Sequence, residues 1–222
     1  MSDEYSNLII LALVWLAYFV LHSLLASLRA KHWVARRMSS LVPLYRAGFN
    51  IIAIGSIVPP LWLMHAYGGD MVWEWRGPGL YVANTLGALA VIGFFWSLKY
   101  YDGMDFLGLR QIKSGNRVVE DQEKFCISPL HRVVRHPWYF LALVLIWTRD
   151  MDSAFLLSAV CMTLYFIIGS WQEERKLVVY HGEIYRLYKT FVPGLIPLPW
   201  QYLNDVRLKA LLSSYNNKLK AG

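Results

Sequence analysis

Cysteine and charge are both scarce in this 222-residue chain. Only Cys126 and Cys161 are present, one in a charged segment and the other within an apolar run, so a structural disulfide is not expected. No Cys and His residues show the spacing of a metal site, and none is predicted. Charged residues make up 17% of the chain against 56% hydrophobic residues, and the mean hydropathy is +0.35. This composition excludes an ordinary soluble protein and predicts one integral-membrane domain, residues 1–222.

The charges that are present are mostly positive. There are 22 Lys and Arg against 15 Asp and Glu, which gives a formal net charge of +7. The basic residues cluster in the segments between apolar runs, as is typical of cytoplasmic loops. We therefore interpret the positive charge as a topology signal, and nucleic acid is not an expected partner.

The first apolar run extends from Leu8 to Leu28 without a formal charge. Its length suffices to cross a hydrocarbon core of roughly 30 Å, so it predicts a transmembrane helix. A cleaved signal peptide is the alternative, but no basic segment precedes the run. Basic residues follow it instead, and they predict an external N-terminus and a cytoplasmic helix end. These residues are Arg29, Lys31, Arg36 and Arg37.

Two further apolar runs complete three N-terminal spans within residues 8–98. Tyr45 to His65 contains the pair Pro59 and Pro60, which predicts a kink near its far end. Gly79 to Leu98 returns the chain to the cytoplasm. Residues 99–137 are rich in basic residues and show no helical period, so we interpret them as a cytoplasmic loop with room for a short β-hairpin.

Residues 138–200 contain a predicted helical hairpin. Trp138 to Trp147 is too short to span upright, and Ser153 to Ser170 forms the returning arm. An amphipathic extension follows, with Leu177, Tyr180, Ile184 and Leu187 on one face. The whole pattern predicts an all-α membrane protein with about five passes and a cytoplasmic C-terminus. Residues 201–222 form a polar, basic tail.

The C-terminal half carries a distinctive series of motifs. RHPWY begins at Arg135, EE occupies 173–174, and HGEIYRLYKTFVPGLIP spans 181–197. This order resembles the signature of the isoprenylcysteine carboxyl methyltransferase and phospholipid methyltransferase superfamily, whose members are membrane enzymes that use S-adenosyl-L-methionine. HSLLAS, YRAGFN and MDFLGLRQ further resemble the methanethiol S-methyltransferase branch and its denitrification-associated relatives.

The resemblance implies a membrane-embedded methyltransferase with a cytoplasmic pocket for S-adenosyl-L-methionine. The implied acceptor is a small or lipid-soluble thiol such as methanethiol, and the implied location is the bacterial inner membrane. Membrane lipid is the expected surrounding, and no obligate protein partner is evident. Carboxyl methylation of an isoprenylcysteine and methylation of a phospholipid amine are alternatives within the same class.

The expected cofactor site combines the chemistry that this methyl donor requires with the resembling motifs. Ribose and ammonium groups need acceptors, a carboxylate needs donors, and the adenine needs aromatic or apolar walls. Because adjacent helical residues point about 100° apart, only one of the two glutamates is expected to face the pocket. We favour Glu174, with Glu173 pairing to Arg135 or Arg175. The predicted cofactor residues are Arg135, His136, Pro137, Tyr139, Glu173, Glu174, Tyr185, Tyr188 and Pro193.

A thiol acceptor must lose its proton to become a good nucleophile. Polar side chains in the motifs that resemble the methanethiol branch are the candidates, and His22 lies inside a predicted span, where ionisable residues are usually functional. A hydrogen bond from His22 to Asn50 or Ser23 is the alternative. We hypothesise that the following residues hold or deprotonate the acceptor over the cofactor methyl: His22, Arg46, Asn50 and Asp105.

Two other classes of function fit the composition less well. An NADPH-dependent membrane reductase would need additional basic residues for a 2′-phosphate, and RHPWY matches the methyltransferase form better. A haem-binding or transport protein is the remaining alternative. His22 and His65 lie near different faces of the predicted membrane domain, so they do not form a ligand pair, and no inverted repeat suggests transport.

Overall fold

A computed structural model describes residues 2–115 and 127–221, and the side chains of residues 3–115 and 127–213. Helices dominate, and short 3₁₀ turns occur at Ser39–Leu44, Leu98–Tyr100 and Leu130–Arg132. The α-helices are α1 (Ser2–Ala26), α2 (Leu28–Arg37), α3 (Tyr45–Tyr67), α4 (Pro78–Ser97), α5 (Gly103–Phe106), α6 (Leu109–Ser114), α7 (Pro137–Trp147), α8 (Ser153–His181), α9 (Glu183–Phe191) and α10 (Asp205–Ala221). Two short antiparallel strands, β1 (Met71–Trp73) and β2 (Met151–Asp152), pair with each other.

Within the described residues, four helical segments are long and apolar enough to cross a membrane, in agreement with the predicted all-α polytopic membrane protein. They are Asp3–Ala26, Ser39–Tyr67, Pro78–Tyr100 and Ser153–His181. Helix α7 is a shorter apolar helix that begins at Pro137. Proline fits the first turn of a helix because its missing N–H would have no helical partner there. The prediction of five passes requires α7 to cross as well, and it stays a prediction.

The described chain divides into two compact units. One comprises Met1–Asn84, Leu98–Asp121 and Thr148–Met162. The other comprises Thr85–Ser97, Gln122–Trp147 and Thr163–Gly222. Two of the boundaries between the units fall inside helices, so α4 and α8 each contribute residues to both units. The prediction of a single domain stays a prediction.

The first helix ends two residues earlier than the apolar run suggests. Ser27 adopts an extended conformation and its side chain accepts a hydrogen bond from the N–H of Ala30, which caps a separate helix, α2. The hydroxyl of Tyr45 donates to the carbonyl of Leu25 at 2.6 Å. It thereby satisfies a carbonyl that the helix end leaves free. The basic residues of this segment were interpreted only as a topology signal, and helix α2 was not predicted.

The segment after α4 is also helical where a loop was expected. The Asp102 side chain accepts from the backbone N–H groups of Met104 and Asp105 and so caps α5. Gly108 follows with a positive φ of 81° and allows the chain to turn into α6. Residues 116–126 of this expected loop, where a β-hairpin was considered, lie outside the described residues.

The first unit is held by a buried polar contact inside an apolar cluster. Leu11, Trp15 and Ala154 are fully buried, and the Trp15 indole N–H donates to the Ser158 hydroxyl at 2.8 Å. Ser158 in turn donates to the carbonyl of Ala154. A buried indole N–H needs such a partner because an apolar surrounding offers it none.

Ser158→Ala is therefore expected to destabilise the protein by roughly 1 kcal/mol, since the Trp15 N–H loses its partner. A lowered unfolding temperature in detergent would show this effect. Ser56→Ala is the matched control, because the Ser56 hydroxyl bonds only to carbonyls of its own helix. Equal unfolding temperatures for the two variants would contradict the stabilising role of the Trp15–Ser158 contact.

The second unit contains its own apolar core. Gly182, with a positive φ of 65°, ends the helix before α9 begins. The break changes which residues face inward, so Leu187 is exposed although the amphipathic pattern placed it with Ile184. The buried members of this core are Ile184, Tyr185, Tyr188, Val192, Leu203 and Leu211.

Candidate active site

Two segments of the second unit lie side by side through their backbones. The N–H of Arg135 donates to the carbonyl of Pro193 at 2.9 Å, and the N–H of His136 donates to the carbonyl of Gly194 at 3.1 Å. A Cβ at Gly194 would lie 3.3 Å from the Arg135 guanidinium. The segment before α7 and the segment after α9 therefore form one continuous edge of the candidate site.

Glu174 lies at the centre of this arrangement, and both oxygens of its carboxylate have partners. Its Oε1 atom accepts from Arg135 Nε at 2.8 Å and lies 3.1 Å from His136 Nε2. Its Oε2 atom lies 2.7 Å from the Nζ atom of Lys189. The Glu174 side chain is only 7% exposed. This carboxylate therefore pairs with three basic groups that converge on it from two places in the chain.

The Arg135 guanidinium also forms several hydrogen bonds within the protein. Besides its bond to Glu174, its guanidinium donates to the backbone carbonyls of Lys189 and Val192. Arginine suits this role because its fixed fork of N–H donors reaches several acceptors at once. Arg135 thus connects α8, α9 and the chain that follows α9.

Glu173 is the more accessible of the two glutamates. Its side chain is 48% exposed, it accepts from the Tyr139 hydroxyl at 3.2 Å, and it lies 3.5 Å from His136 Nδ1. Both glutamates therefore approach His136, whereas the sequence pattern suggested that only one could face the site. The imidazole ring explains this difference because its two nitrogens lie on opposite edges and can meet neighbouring side chains separately.

Two histidines near this site have pKa values that are shifted in opposite directions. Burial opposes a charge on His136, but hydrogen bonds and the negative charges of Glu173 and Glu174 outweigh it and raise the His136 pKa above its ordinary value. Burial and the nearby charge of His136 lower the pKa of His131 to about 4. The Ser128 hydroxyl lies 2.7 Å from His131 Nδ1. A neutral His131 thus lies beside a His136 that favours its charged form.

Aromatic rings form a stack that includes His136. The Tyr139 ring lies parallel to the His136 ring at 5.4 Å and parallel to the Phe166 ring at 4.9 Å. The stack fixes the Tyr139 ring, and its hydroxyl reaches Glu173. The half-exposed Glu173 carboxylate, with the ordered Tyr139 hydroxyl beside it, can accept hydrogen bonds from a polar ligand.

The other predicted cofactor residues support this group. Pro137 begins α7, and Pro193 supplies the carbonyl that pairs with Arg135. Tyr185 and Tyr188 are buried in the apolar core, and the Tyr188 hydroxyl donates to the carbonyl of His131 at 2.5 Å. All nine predicted cofactor residues therefore belong to the second unit.

Sequence reasoning missed two side chains that belong to the group. Lys189 was passed over inside the HGEIYRLYKTF motif, although a lysine one turn after Tyr185 could have suggested a partner for a glutamate. The sequence did not indicate a site position for Phe166, because a single aromatic residue in an apolar helix cannot be distinguished from one that faces lipid or the core.

The residues expected to hold the acceptor lie in the first unit. Arg46 and Asn50 both donate to the carbonyl of Phe106, at 3.3 and 3.0 Å. Asp105 accepts from the Gln111 side chain at 2.7 Å and lies 3.9 Å from the Arg46 guanidinium. The YRAGFN and MDFLGLRQ motifs are thereby joined into one polar cluster.

His22, on α1, packs against α3. Its ring packs at 5.0 Å from the ring of Phe49, which neighbours Asn50 in the chain, and at 5.7 Å from the ring of Tyr18. The first unit therefore brings Arg46, Asn50 and Asp105 together. His22, on α1, packs against α3, the helix that carries Arg46 and Asn50. The catalytic roles of His22 and of this cluster stay predictions.

Comparison with known proteins decides the family. The chain is 31% identical over 198 residues to methanethiol S-methyltransferase 1 of Bradyrhizobium diazoefficiens, covering 86% of this chain and 66% of that protein. It is 30% identical over 182 residues to methanethiol S-methyltransferase of Crocosphaera subtropica, covering 79% and 69%. The chain belongs to the methanethiol S-methyltransferase family. A more distant member, from Mycobacterium tuberculosis, is 27% identical over 201 residues, which cover 87% of this chain and 80% of that relative.

Family membership confirms the resemblance seen in the motifs and makes the protein a methyltransferase. The chain spans about two thirds of the length of the Bradyrhizobium and Crocosphaera relatives. No family model matches the chain. No solved structure matches it either. A methyltransferase requires a methyl donor and an acceptor, and the two polar clusters described above are the candidates for holding them.

Proposed function

We propose that the protein transfers a methyl group from S-adenosyl-L-methionine to methanethiol within the membrane. The overall reaction gives dimethyl sulfide, S-adenosylhomocysteine and one proton. Family membership supports the reaction, since the relatives are named for methylation of methanethiol. The four apolar helices support its location in a membrane, for which we propose the bacterial inner membrane with the C-terminus in the cytoplasm.

The second unit fits the methyl donor. S-Adenosyl-L-methionine, when bound, supplies an electrophilic methyl group on a sulfonium. The observation that carries this assignment is the half-exposed Glu173 carboxylate beside the stacked rings of His136 and Tyr139. Glu173 would accept hydrogen bonds from ribose hydroxyls or the ammonium group, and the partly buried edge of Tyr139 would lie beside the ligand. Such a site binds and orients its ligand without supplying acid or base.

Glu174 and its partners have a different role in this proposal. Because Arg135, His136 and Lys189 already use the Glu174 carboxylate, Glu174 holds the site together and Glu173 meets the ligand. This division replaces our sequence-based preference for Glu174 as the ligand contact. The raised pKa of His136 favours a charged imidazolium between the two glutamates, which keeps its ring in place.

The first unit supplies the candidates for the acceptor thiol. Methanethiol must lose its proton to attack a methyl group, and a simple alkyl thiol is a weaker acid than the cysteine side chain, whose reference pKa is about 8.5. Asp105 and His22 are the groups that could accept a proton. Arg46 and Asn50 hold the Phe106 carbonyl and thereby place Asp105.

A direct assay of methyl transfer tests the reaction. Purified protein in lipid vesicles should convert methanethiol and S-adenosyl-L-methionine carrying a deuterated methyl into deuterated dimethyl sulfide, detected in the headspace by mass spectrometry. An isoprenylcysteine and a phosphatidylethanolamine serve as alternative acceptors in parallel vials. Label appearing only in one of these two acceptors would contradict methanethiol as the substrate.

The double variant His22→Ala/Asp105→Ala is expected to lower the rate of this conversion by about 10²-fold or more, since positioned proton acceptors typically contribute that much. S-Adenosylhomocysteine binding should remain, because the donor residues are unchanged. Asp3→Ala/His65→Ala is a control that removes the same two residue types from exposed positions in the first unit. Full activity of the His22 and Asp105 double variant would remove both residues from the proposed mechanism.

A further inference from the structure

Helix α2 presents a basic stripe that the proposed function does not use. Its more exposed residues recur at intervals of three and four, which places them on one face. The segment 28–37 contains no Asp or Glu. The exposed face consists of Arg29, His32, Trp33, Arg36 and Arg37. Trp33, a large apolar side chain among three arginines, is 53% exposed.

The opposite face of α2 is turned toward the protein. Leu28, Val34 and Ala35 are partly buried, and α2 packs against α1 and the 3₁₀ turn Ser39–Leu44. The arginine stripe therefore points away from the rest of the first unit. A face this basic, with an aromatic residue in it, requires a partner that combines negative charge with apolar surface.

Short connections restrict where that partner can be. Ser27 alone separates α2 from the first apolar segment, and Met38 alone separates it from the apolar segment that begins at Ser39. The Tyr45 hydroxyl, bonded to the Leu25 carbonyl, fastens the bend at the start of α2. A ten-residue helix is about 15 Å long. With both ends tied to membrane segments, α2 must stay at the level of the lipid headgroups.

We propose that the basic stripe of α2 binds the headgroups of anionic phospholipids. Each arginine can donate two parallel hydrogen bonds to a phosphate, and the excess negative charge of an anionic lipid adds to that attraction. Trp33 takes the position that tryptophan commonly occupies, at the boundary between headgroups and acyl chains. A soluble acidic protein or nucleic acid would have to displace lipid to reach the same groups.

Quenching of Trp33 fluorescence tests the lipid preference. Full-length protein is reconstituted in two sets of vesicles with identical proportions of phosphatidylcholine and phosphatidylglycerol. In one set the phosphatidylglycerol carries bromine on its acyl chains near the glycerol, and in the other an equal amount of phosphatidylcholine carries it. Subtracting the signal of Trp33→Phe isolates Trp33. Quenching should be about twofold stronger when the anionic lipid carries bromine.

Two triple variants complete the test. In the variant Arg29→Gln/Arg36→Gln/Arg37→Gln, Trp33 fluorescence should be quenched equally in both sets of vesicles. Arg76→Gln/Arg186→Gln/Lys209→Gln removes the same number of exposed charges elsewhere and should retain the preference. Equal quenching of wild-type Trp33 by the two lipids, or a preference that survives loss of the three α2 arginines, would overturn the proposal. Displacement of the anionic lipid by a short RNA at low concentration would also overturn it.

Discussion

Glu174→Ala is expected to abolish S-adenosylhomocysteine binding and to lower the free energy of unfolding by roughly 3–5 kcal/mol, as removal of one partner from a buried ion pair commonly does. The Glu174 carboxylate receives Arg135, His136 and Lys189, and both Arg135 and His136 are themselves largely buried. Without Glu174 these positive groups would repel one another inside a weakly polar surrounding. The site would therefore lose its shape as well as its charge balance.

Unfolding temperature in detergent and calorimetric titration would measure the two effects of Glu174→Ala together. Glu183→Ala is the matched control, because Glu183 forms an exposed ion pair with Arg186 on the surface of α9. Such a pair contributes at most about 1 kcal/mol. A Glu174→Ala protein as stable as Glu183→Ala would show that the buried cluster does not hold the second unit together.

Gly108→Ala is expected to have the second large effect, in the first unit. A Cβ at Gly108 would lie 2.6 Å from the backbone nitrogen of Ala47 and 3.0 Å from the Arg46 Cβ. The backbone cannot move away cheaply, because Arg46 and Asn50 hold Phe106 on the same side. Overpacking of this kind costs roughly 1–3 kcal/mol, and a side chain at positive φ adds about 1–2 kcal/mol.

Gly115→Ala separates these two costs. Gly115 also has a positive φ, 62°, but a Cβ there would meet nothing within 4 Å. Gly115→Ala should therefore lose only the stability that the backbone conformation costs. Gly108→Ala should lose more stability and should also lose methyl transfer, because Asp105 moves. Equal loss of stability and activity in the two variants would mean that the close approach of Gly108 to α3 does not matter.

The membrane helices could be predicted from the sequence because they depend on long apolar runs. The sequence could predict which residues come together in the second unit because their motifs occur in a recognisable order, and their binding of the donor stays a prediction. The sequence did not reveal its internal geometry. Whether Glu173 or Glu174 meets the ligand depends on which carboxylate Lys189 and Arg135 reach, and those contacts join residues far apart in the chain.

The differences from the sequence-based expectations have separate physical causes. Helix α2 contains Arg29, Arg36 and Arg37, and its basic residues were interpreted only as a topology signal after a span. Helices α5 and α6 have only four and six residues, so no helical period can be recognised in them. The exposed position of Leu187 follows from the break at Gly182, which the amphipathic pattern treated as a modest interruption.

The central claim is that the cluster around Glu173 and His136 binds the methyl donor. Calorimetric titration of the detergent-purified protein with S-adenosylhomocysteine tests it most directly, with Glu173→Gln and Glu183→Gln as a matched pair of variants. We expect micromolar binding by wild type and Glu183→Gln, and binding weakened about 10-fold or more in Glu173→Gln, since a hydrogen bond to a charged group contributes roughly 1.5–3 kcal/mol. Folded wild-type protein that releases no heat with S-adenosylhomocysteine, or a Glu173→Gln protein that binds it as tightly as wild type, would contradict the claim.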